Sequence, residues 1–399
     1  MKALLLIMDG VGDRGRDTSL SRARTPHLDK LAKTGITGML HPLGRGVVPG
    51  SDTSHLALFG YDPKVYYKGR GAFEAFGAGL ELKDKDVAFR TNLGTVDENL
   101  VVTDRRAGRD PLGLDELYAA LDDMEFGDVK VKVKHTVEHR GAMMLSGPDL
   151  SAAVTNTDPH EVGVKLLRSE PLTPEGEKTA SILNQFTDQA RAVLAEHPAN
   201  KMRQEKGKMP ANVVLSRGAG IYFKPDSFEE KYGLKAVCIA GGALYKGAAR
   251  YVGMDVPDVP GATGTTSTDL GAKTAAVEQA VRDHDFVFVH VKGTDAAGHD
   301  GNAELKCQMV ERIDKELVAK IAKLFDIIVV TGDHSTPPSA KRHTADPVPI
   351  LFWHGDVRPD RAARLCELEC MTGGLGDIVG LDIMNLVLDY LGKAEMFGE

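Results

Sequence analysis

Six side chains suited to holding a divalent cation fall in four short stretches of this 399-residue chain. Asp9 follows an apolar run, and Asp295-Ala296-Ala297-Gly298-His299 puts a carboxylate and an imidazole four residues apart. Asp333 and His334 are adjacent, and His343 follows nine residues later. Each has a plain alternative: Asp9 before Gly10 as a turn residue, Asp333-His334 as a loop pair bonded to backbone, Asp295 with His299 as a turn support. Their joint occurrence favours metal. Mixed oxygen and nitrogen donors suit Zn²⁺ or Mn²⁺ better than Ca²⁺. Six ligands are enough for two ions, each keeping a position open for a substrate oxygen. A nucleophile accompanies them in Pro49-Gly50-Ser51-Asp52-Thr53-Ser54-His55, where Ser51 follows a turn and precedes a helical apolar run. A serine there commonly caps the helix, and the helix amino end can also help hold a phosphoryl group. Its hydroxyl is a poor nucleophile near neutral pH unless a bound dication favours the alkoxide. No Gly-x-Ser-x-Gly elbow surrounds Ser51, which disfavours a metal-independent triad.

The elements that must position these groups are strands. Apolar runs at 4–8, 286–291 and 327–330 lead directly into Asp9, into Lys292-Gly293-Thr294-Asp295, and into Thr331-Gly332-Asp333-His334. Short runs rich in Val and Ile read as strands buried on both faces of a parallel sheet. Between them the pattern is helical. Thr268-Asp269 caps a helix towards Val281; Val310, Ile313, Leu317, Ile321 and Leu324 form one apolar stripe; a last helix after Gly376 carries Ile378, Leu381, Met384, Leu388 and Leu391. Strand–helix alternation implies an α/β sheet covered on both faces, and ligands bind outside the carboxyl ends of such strands. The acidic and histidine residues fall at those ends.

The middle of the chain differs. Stretches 87–91, 100–103, 129–133 and 142–145 read as shorter strands with polar alternation, Thr173-Pro174 opens a helix towards Ala195, and 211–216 returns as a strand. The ladder Lys130, Lys132 and Lys134 opposite Val129, Val131 and Val133 reads as a solvated edge strand. This gives an α/β domain over 1–80 and 233–399, interrupted by an α+β domain at 81–232. A net charge of −8 argues against nucleic acid or an anionic membrane held by bulk electrostatics. Cys238, Cys307, Cys366 and Cys370 do not resemble a disulfide framework in a chain of 399 residues, and Cys366 with Cys370 reads as buried residues rather than a metal pair. The run at 4–8 is too short for a signal peptide and lacks a cleavage site. No stretch approaches the ~18 apolar residues of a membrane span, so a cytoplasmic location is expected.

Taken in order, Asp9, Ser51, Asp295 with His299, Asp333 with His334, and His343 form a set that resembles the alkaline phosphatase superfamily. More narrowly, it is similar to the cofactor-independent (2,3-bisphosphoglycerate-independent) phosphoglycerate mutases in their shorter, archaeal-type form. The carriers are Ile7-Met8-Asp9-Gly10, the serine segment from Gly50 to Pro63, Asp104-Arg105-Arg106-Ala107-Gly108-Arg109, Asn156-Thr157-Asp158-Pro159-His160-Glu161, Arg217-Gly218-Ala219-Gly220, Gly293 to His299, and Thr331 to Pro337. The resemblance implies an alkaline-phosphatase-like parallel-sheet core covered by helices, with the smaller domain inserted. It implies two divalent metal ions, Mn²⁺, Zn²⁺, Mg²⁺ or Co²⁺, and no 2,3-bisphosphoglycerate. One ion would take Asp295, His299 and His343; the other would take Asp9, Asp333, His334 and the Ser51 oxygen. Arg109, Arg140, Arg217 and Lys231 are the candidates for the substrate carboxylate and hydroxyls, since a guanidinium fork can pair both oxygens of a carboxylate. Asp110 is the candidate acid–base group, with Asp104 and Asp158 as rivals.

The implied reaction moves the phosphoryl group of 3-phosphoglycerate to Ser51 and returns it to the 2-hydroxyl of glycerate. Water must be excluded meanwhile, and closure of the inserted domain is the expected means. Rival enzymes of the same superfamily are a phosphopentomutase, whose nucleophile is typically threonine, and a metal-dependent phosphatase or phosphodiesterase. Sulfatases need Pro and Arg where this chain has Thr53 and His55. A non-catalytic metabolite-binding protein is the alternative from a separate class.

Overall fold

In the computed structural model, which describes residues 1–396 and Gly398, the chain forms two compact units. One comprises Met1–Tyr67 and the chain from Asp226 onward; the other is Lys68–Pro225. Strands are numbered along the chain. The first unit opens with β1 (Ala3–Met8) and β2 (Ile36–His41). The second contributes β3 (Val87–Val96), β4 (Val102–Asp104), β5 (Met124–Phe126), β6 (Val129–Val137), β7 (Arg140–Ser146) and β8 (Val213–Ile221). The first unit is completed by β9 (Ala236–Ile239), β10 (Phe286–Val291), β11 (Ile327–Thr331), β12 (Val348–His354) and β13 (Gly376–Val379).

The first unit is a seven-stranded sheet in the order β13-β2-β12-β11-β1-β10-β9. The three acid-bearing strands sit together at its centre, with β1 parallel to both β10 and β11. Every residue of β1, β10 and β11 is buried, as expected for a sheet covered by helices on both faces. Burying each Val, Leu or Ile stabilises by roughly 1.5–3 kcal/mol. Register then does the positioning. Ile7 pairs with His290 and with Thr331, and Met8 with Val291, so Asp9, Lys292 and Gly332-Asp333 emerge at the same level of the same edge. The sheet is not wholly parallel: β12 runs antiparallel to both β11 and β2. Asp269 caps the helix Leu270–Ala280 through Ala272 N–H. The stripe from Val310 to Ile321 is buried, but its helix widens into a π-type turn over Ile313–Val318. There the buried Asp314 accepts N–H groups of His27 and Leu28 at 3.1 and 2.7 Å, filling the amino end of the helix Pro26–Thr34. Ile378 lies in β13, and the last helix begins later, at Asp382–Tyr390.

The second unit is an antiparallel sheet, β4-β3-β7-β6-β5, with β8 paired to β3. The helix Glu177–Glu196 lays Leu183, Phe186, Ala190 and Leu194 into its core. Val129, Val131 and Val133 face that core, while Lys130 and Lys132 pair with Glu125 and Asp123.

The unit limits lie some way from the sequence boundaries at 80/81 and 232/233. The helix Gly71–Ala78 goes with the second unit, because Gly71 lies so close to the Ala88 carbonyl of β3 that a Cβ has no room. The helix Phe228–Tyr232 goes with the first, its Phe228 ring 4.9 Å from Phe286 of β10. All four cysteines are free and buried. No described helix is long and apolar enough to cross a membrane.

Candidate metal centre

Asp9 occupies the turn that ends β1. Gly10 has φ +60°, and a Cβ there would fall 2.6 Å from Thr336 Oγ1 and 2.8 Å from Asp295 Oδ1, so only glycine lets the loops converge. Its N–H donates to Asp333 Oδ1 at 3.1 Å. Asp295 and His299 lie one turn apart on the short helix Gly293–His299, which brings both to one side. Two three-residue groups can each gather one ligand atom per residue within 4.8 Å: Asp295, His299 and His343, and Asp9, Asp295 and His334. The first matches the trio read from the sequence. In the second, Asp295 stands where Asp333 was expected, but Asp333 Oδ2 is still only 3.3 Å from His334 Nε2. The same nitrogen lies 3.3 Å from Asp9 Oδ1 and 3.1 Å from Ser51 Oγ. Ser51 is the first residue of the helix Ser51–Leu58, and its carbonyl accepts from His55 Nδ1 at 2.6 Å.

Hydrogen bonding fixes the imidazoles. His299 Nδ1 is 3.1 Å from the Lys341 carbonyl and His343 Nδ1 is 2.9 Å from the Pro49 carbonyl. A carbonyl only accepts, so Nδ1 carries the proton in both rings and each Nε2 lone pair is free. Both lone pairs face Asp295 Oδ1, at 3.4 and 3.7 Å. Thr336 Oγ1 donates to Asp295 Oδ1 at 2.7 Å, leaving its oxygen to accept from His334 Nδ1 at 3.1 Å. His334 thus also turns Nε2 inward. Such partners behind a ligand are what orient a metal-binding histidine.

The electrostatics fit a dication. Asp9, Asp333 and His334 are fully buried, and Asp9 Oδ1 and Asp333 Oδ2 have no hydrogen-bond partner. Burial, with Asp9 and Asp295 beside it, pushes the Asp333 carboxyl well above the usual carboxylate range. Burial also opposes the Asp9 charge, but Lys292, His290 and His334 outweigh it and hold that group well below the range. Burial drives the His334 imidazole down to about 3, so it is neutral at pH 7 and has a lone pair to give. Carboxylates crowded this tightly favour a bound cation.

Several groups here are hard to see in the sequence. Lys292 Nζ lies 2.7 Å from Asp295 Oδ2, 3.3 Å from Asp9 Oδ2 and 2.8 Å from the Tyr245 hydroxyl. His290 Nε2 is 3.1 Å from Asp9 Oδ2. The buried Lys306 donates to the carbonyls of Gly12 and Thr336 and to Asp13 Oδ1 at 2.6 Å, tying the loop after β1 to the loop after β11. The sequence signals for Lys292 are its place at a strand end and its i, i+3 spacing to Asp295.

The substrate-binding candidates divide between the units. Lys231 belongs to the first, not to the inserted domain: its Nζ donates to the Gly60 carbonyl at 2.9 Å over the Tyr61 ring. In the second unit, Arg217 on β8 pairs across with Arg90 on β3, and Arg140 with Asn92. Burial, then the like charges of Arg217, Arg70 and Arg140, pulls the Arg90 guanidinium down to about 10. Asp158 is buried between Arg105, which grips both its oxygens at 2.8 and 2.7 Å, and Arg217 at 3.5 Å. Arg109 lines a cavity of about 450 Å³ with Asp104, Arg105, Arg106 and His160. Asp110 is engaged locally, accepting from Leu112 N–H and pairing with Lys208 at 2.7 Å. Asp104 accepts from Arg106 and Gly108 N–H groups. Asp158 is the carboxylate held among arginines.

The chain resembles proteins of one family throughout. The family model for 2,3-bisphosphoglycerate-independent phosphoglycerate mutase matches residues 32–200. The 2,3-bisphosphoglycerate-independent phosphoglycerate mutase 1 of Methanocaldococcus jannaschii is 46% identical over 406 residues, covering 100% of this chain and 99% of that protein. The solved structure of a protein from Pyrococcus horikoshii superposes with a TM-score of 0.85 at 39% identity, over 100% of this chain and 99% of that one. That of a cofactor-independent phosphoglycerate mutase from Thermoplasma acidophilum gives 0.76 at 36% identity, over 97% and 99%. The chain belongs to the 2,3-bisphosphoglycerate-independent phosphoglycerate mutases, metal-dependent isomerases that interconvert 3-phosphoglycerate and 2-phosphoglycerate.

Proposed function

We propose that this chain isomerises phosphoglycerate through a phosphoserine at Ser51, at a centre for two divalent cations. The observation that carries the reading is the convergence on His334 Nε2 of Ser51 Oγ at 3.1 Å and of Asp9 Oδ1 and Asp333 Oδ2, each at 3.3 Å. Asp295, His299 and His343 would hold one ion; Asp9, Asp333 and His334, with the Ser51 oxygen, the other. When bound, such ions supply charge that favours the serine alkoxide and offsets charge on the transferring phosphoryl oxygens. The chain's own residues do the rest. Ser51 Oγ attacks phosphorus, the bond to the 3-oxygen of glycerate breaks, and that oxygen takes the proton given up by the Ser51 hydroxyl. After glycerate turns, its 2-hydroxyl attacks the phosphoserine, the Ser51–phosphorus bond breaks, and the proton of the 2-hydroxyl returns to Ser51 Oγ. The arginines of the second unit, Arg217 and Arg140 with Arg109, retain the glycerate carboxylate between the transfers. Asp110, with Asp104 as its rival, is the acid–base candidate; Asp158, with both oxygens held by Arg105, positions the arginines instead.

Incubating metal-loaded protein with 3-phosphoglycerate and following 2-phosphoglycerate and free phosphate tests this. The expected result is isomer without phosphate, lost on chelation and regained on adding Mn²⁺. Phosphate without isomer would make the protein a phosphatase, and neither product would make it a binder.

A further inference from the structure

Two carboxylates of the centre, Asp9 and Asp295, are each used on both oxygens, and the division is the same. Asp9 turns Oδ1 to His334 and Oδ2 to Lys292, at 3.3 Å in each case. Asp295 turns Oδ1 to Thr336, His299 and His343, and Oδ2 to Lys292 at 2.7 Å. One ammonium therefore reaches the outer oxygen of both, with His290 Nε2 also 3.1 Å from that of Asp9. The ammonium is held in turn by the Tyr245 hydroxyl at 2.8 Å, on a nearly fully buried ring. Lys292 follows β10 directly, and its Nζ lies 5.3 Å from the centre of the Tyr245 ring.

We propose that Lys292 is a positioning residue that sets the metal selectivity of the centre by keeping Asp9 and Asp295 one-oxygen ligands. The inference rests on the metal-centre reading above. A carboxylate whose second oxygen is bonded to an ammonium has one oxygen left for an ion. Ca²⁺ takes six to eight oxygens and commonly both oxygens of a carboxylate, whereas Mg²⁺ demands near-ideal octahedral geometry and Mn²⁺ shares its preference for six ligands. Holding two outer oxygens back thus penalises Ca²⁺ and leaves the smaller ions unaffected. Tyr245 shares the task, because its hydroxyl fixes the third direction of the ammonium. Removing the lysine also removes a positive charge, but that change raises affinity for every dication alike and cancels in a ratio.

The test is calorimetric titration of the full-length chain with MnCl₂ and with CaCl₂, comparing wild type, Lys292→Met and Tyr245→Phe. The quantity read is the ratio of Ca²⁺ to Mn²⁺ dissociation constants. Wild type should favour Mn²⁺, and Lys292→Met should lower the ratio about tenfold or more, the scale of outer-partner effects on metal sites. Tyr245→Phe, which keeps the ammonium and serves if the methionine variant does not fold, should move it the same way by less. An unchanged ratio in variants that still bind Mn²⁺ overturns the role of Lys292 and leaves the centre standing. Wild-type protein that binds no Mn²⁺ overturns the metal-centre reading, and this role with it.

Discussion

The cation-seeking edge of the first unit and the arginine face of the second handle charge in opposite ways. At the edge, three carboxylates and an imidazole are sunk beyond solvent, with carboxylate oxygens left unpaired. Backbone carbonyls and one threonine aim the rings. On the arginine face the guanidiniums are half-buried and the charges are satisfied by their own neighbours, Arg105 and Arg217 on the buried Asp158 and Arg90 on Glu74. The first arrangement is fixed by sheet register and is costly without a dication. The second is satisfied by its own side chains. In the proposed reaction, a centre that must present a reactive oxygen at fixed geometry suits the first kind, and a surface proposed to hold and then release glycerate suits the second.

Four substitutions break or sharpen that contrast. Ser51→Ala removes the only proposed phosphoryl carrier, and isomerisation should fall by on the order of 10³-fold or more, read in a coupled assay with Mn²⁺ binding retained. Lys306→Met strips the cation from buried Asp13 and unties the two metal-bearing loops. Breaking a buried pair in this way costs about 3–5 kcal/mol, measurable as a lower midpoint of thermal unfolding. Arg217→Ala acts on the arginine face, so it should reduce kcat/KM by roughly 10- to 100-fold, about 1.4–2.8 kcal/mol, while phosphoserine still forms and free phosphate rises.

The smallest effect is a pH dependence. Burial raises the Asp158 pKa, but the hydrogen bond from Arg105 leads the opposing influences and leaves it below the ordinary carboxylate value. A carboxylate depressed in the folded state adds stability above its unfolded pKa of about 3.9, and that contribution disappears as pH falls through the folded value. The stability gap between wild type and Asp158→Asn should therefore be widest near pH 7 and shrink towards pH 3. A gap independent of pH would mean the ion pair contributes nothing.

Part of the edge was legible because Asp9, Asp295 and Asp333 follow closely on the ends of β1, β10 and β11, and buried parallel strands announce themselves as unbroken apolar runs. Lys306 was not legible: on an amphipathic helix a lysine reads as solvated, and only the tertiary fold turns it inward beneath Asp13. β12 hides because Pro347 and Pro349 make 346–349 look like loop, although Pro347 precedes the strand and Pro349 lies beyond its ladder with β11, facing only Met39 of β2. Lys231 was misplaced for a related reason. Glu230-Lys231-Tyr232 looks like polar surface of the insertion, but Phe228 anchors that helix in the first core. Asp110 reads as a free acid–base group, whereas Lys208, far along the chain, pairs with its carboxylate at 2.7 Å. In each case a partner distant in sequence decided the outcome.

The most direct test of the account is to mix metal-loaded protein with 3-phosphoglycerate, quench in acid within a turnover, and locate phosphate on the peptides by mass spectrometry. The phosphoryl group should be found on Ser51 and nowhere else. Full isomerase activity with Ser51 unmodified at every quench time, or with phosphate on another residue, would contradict it.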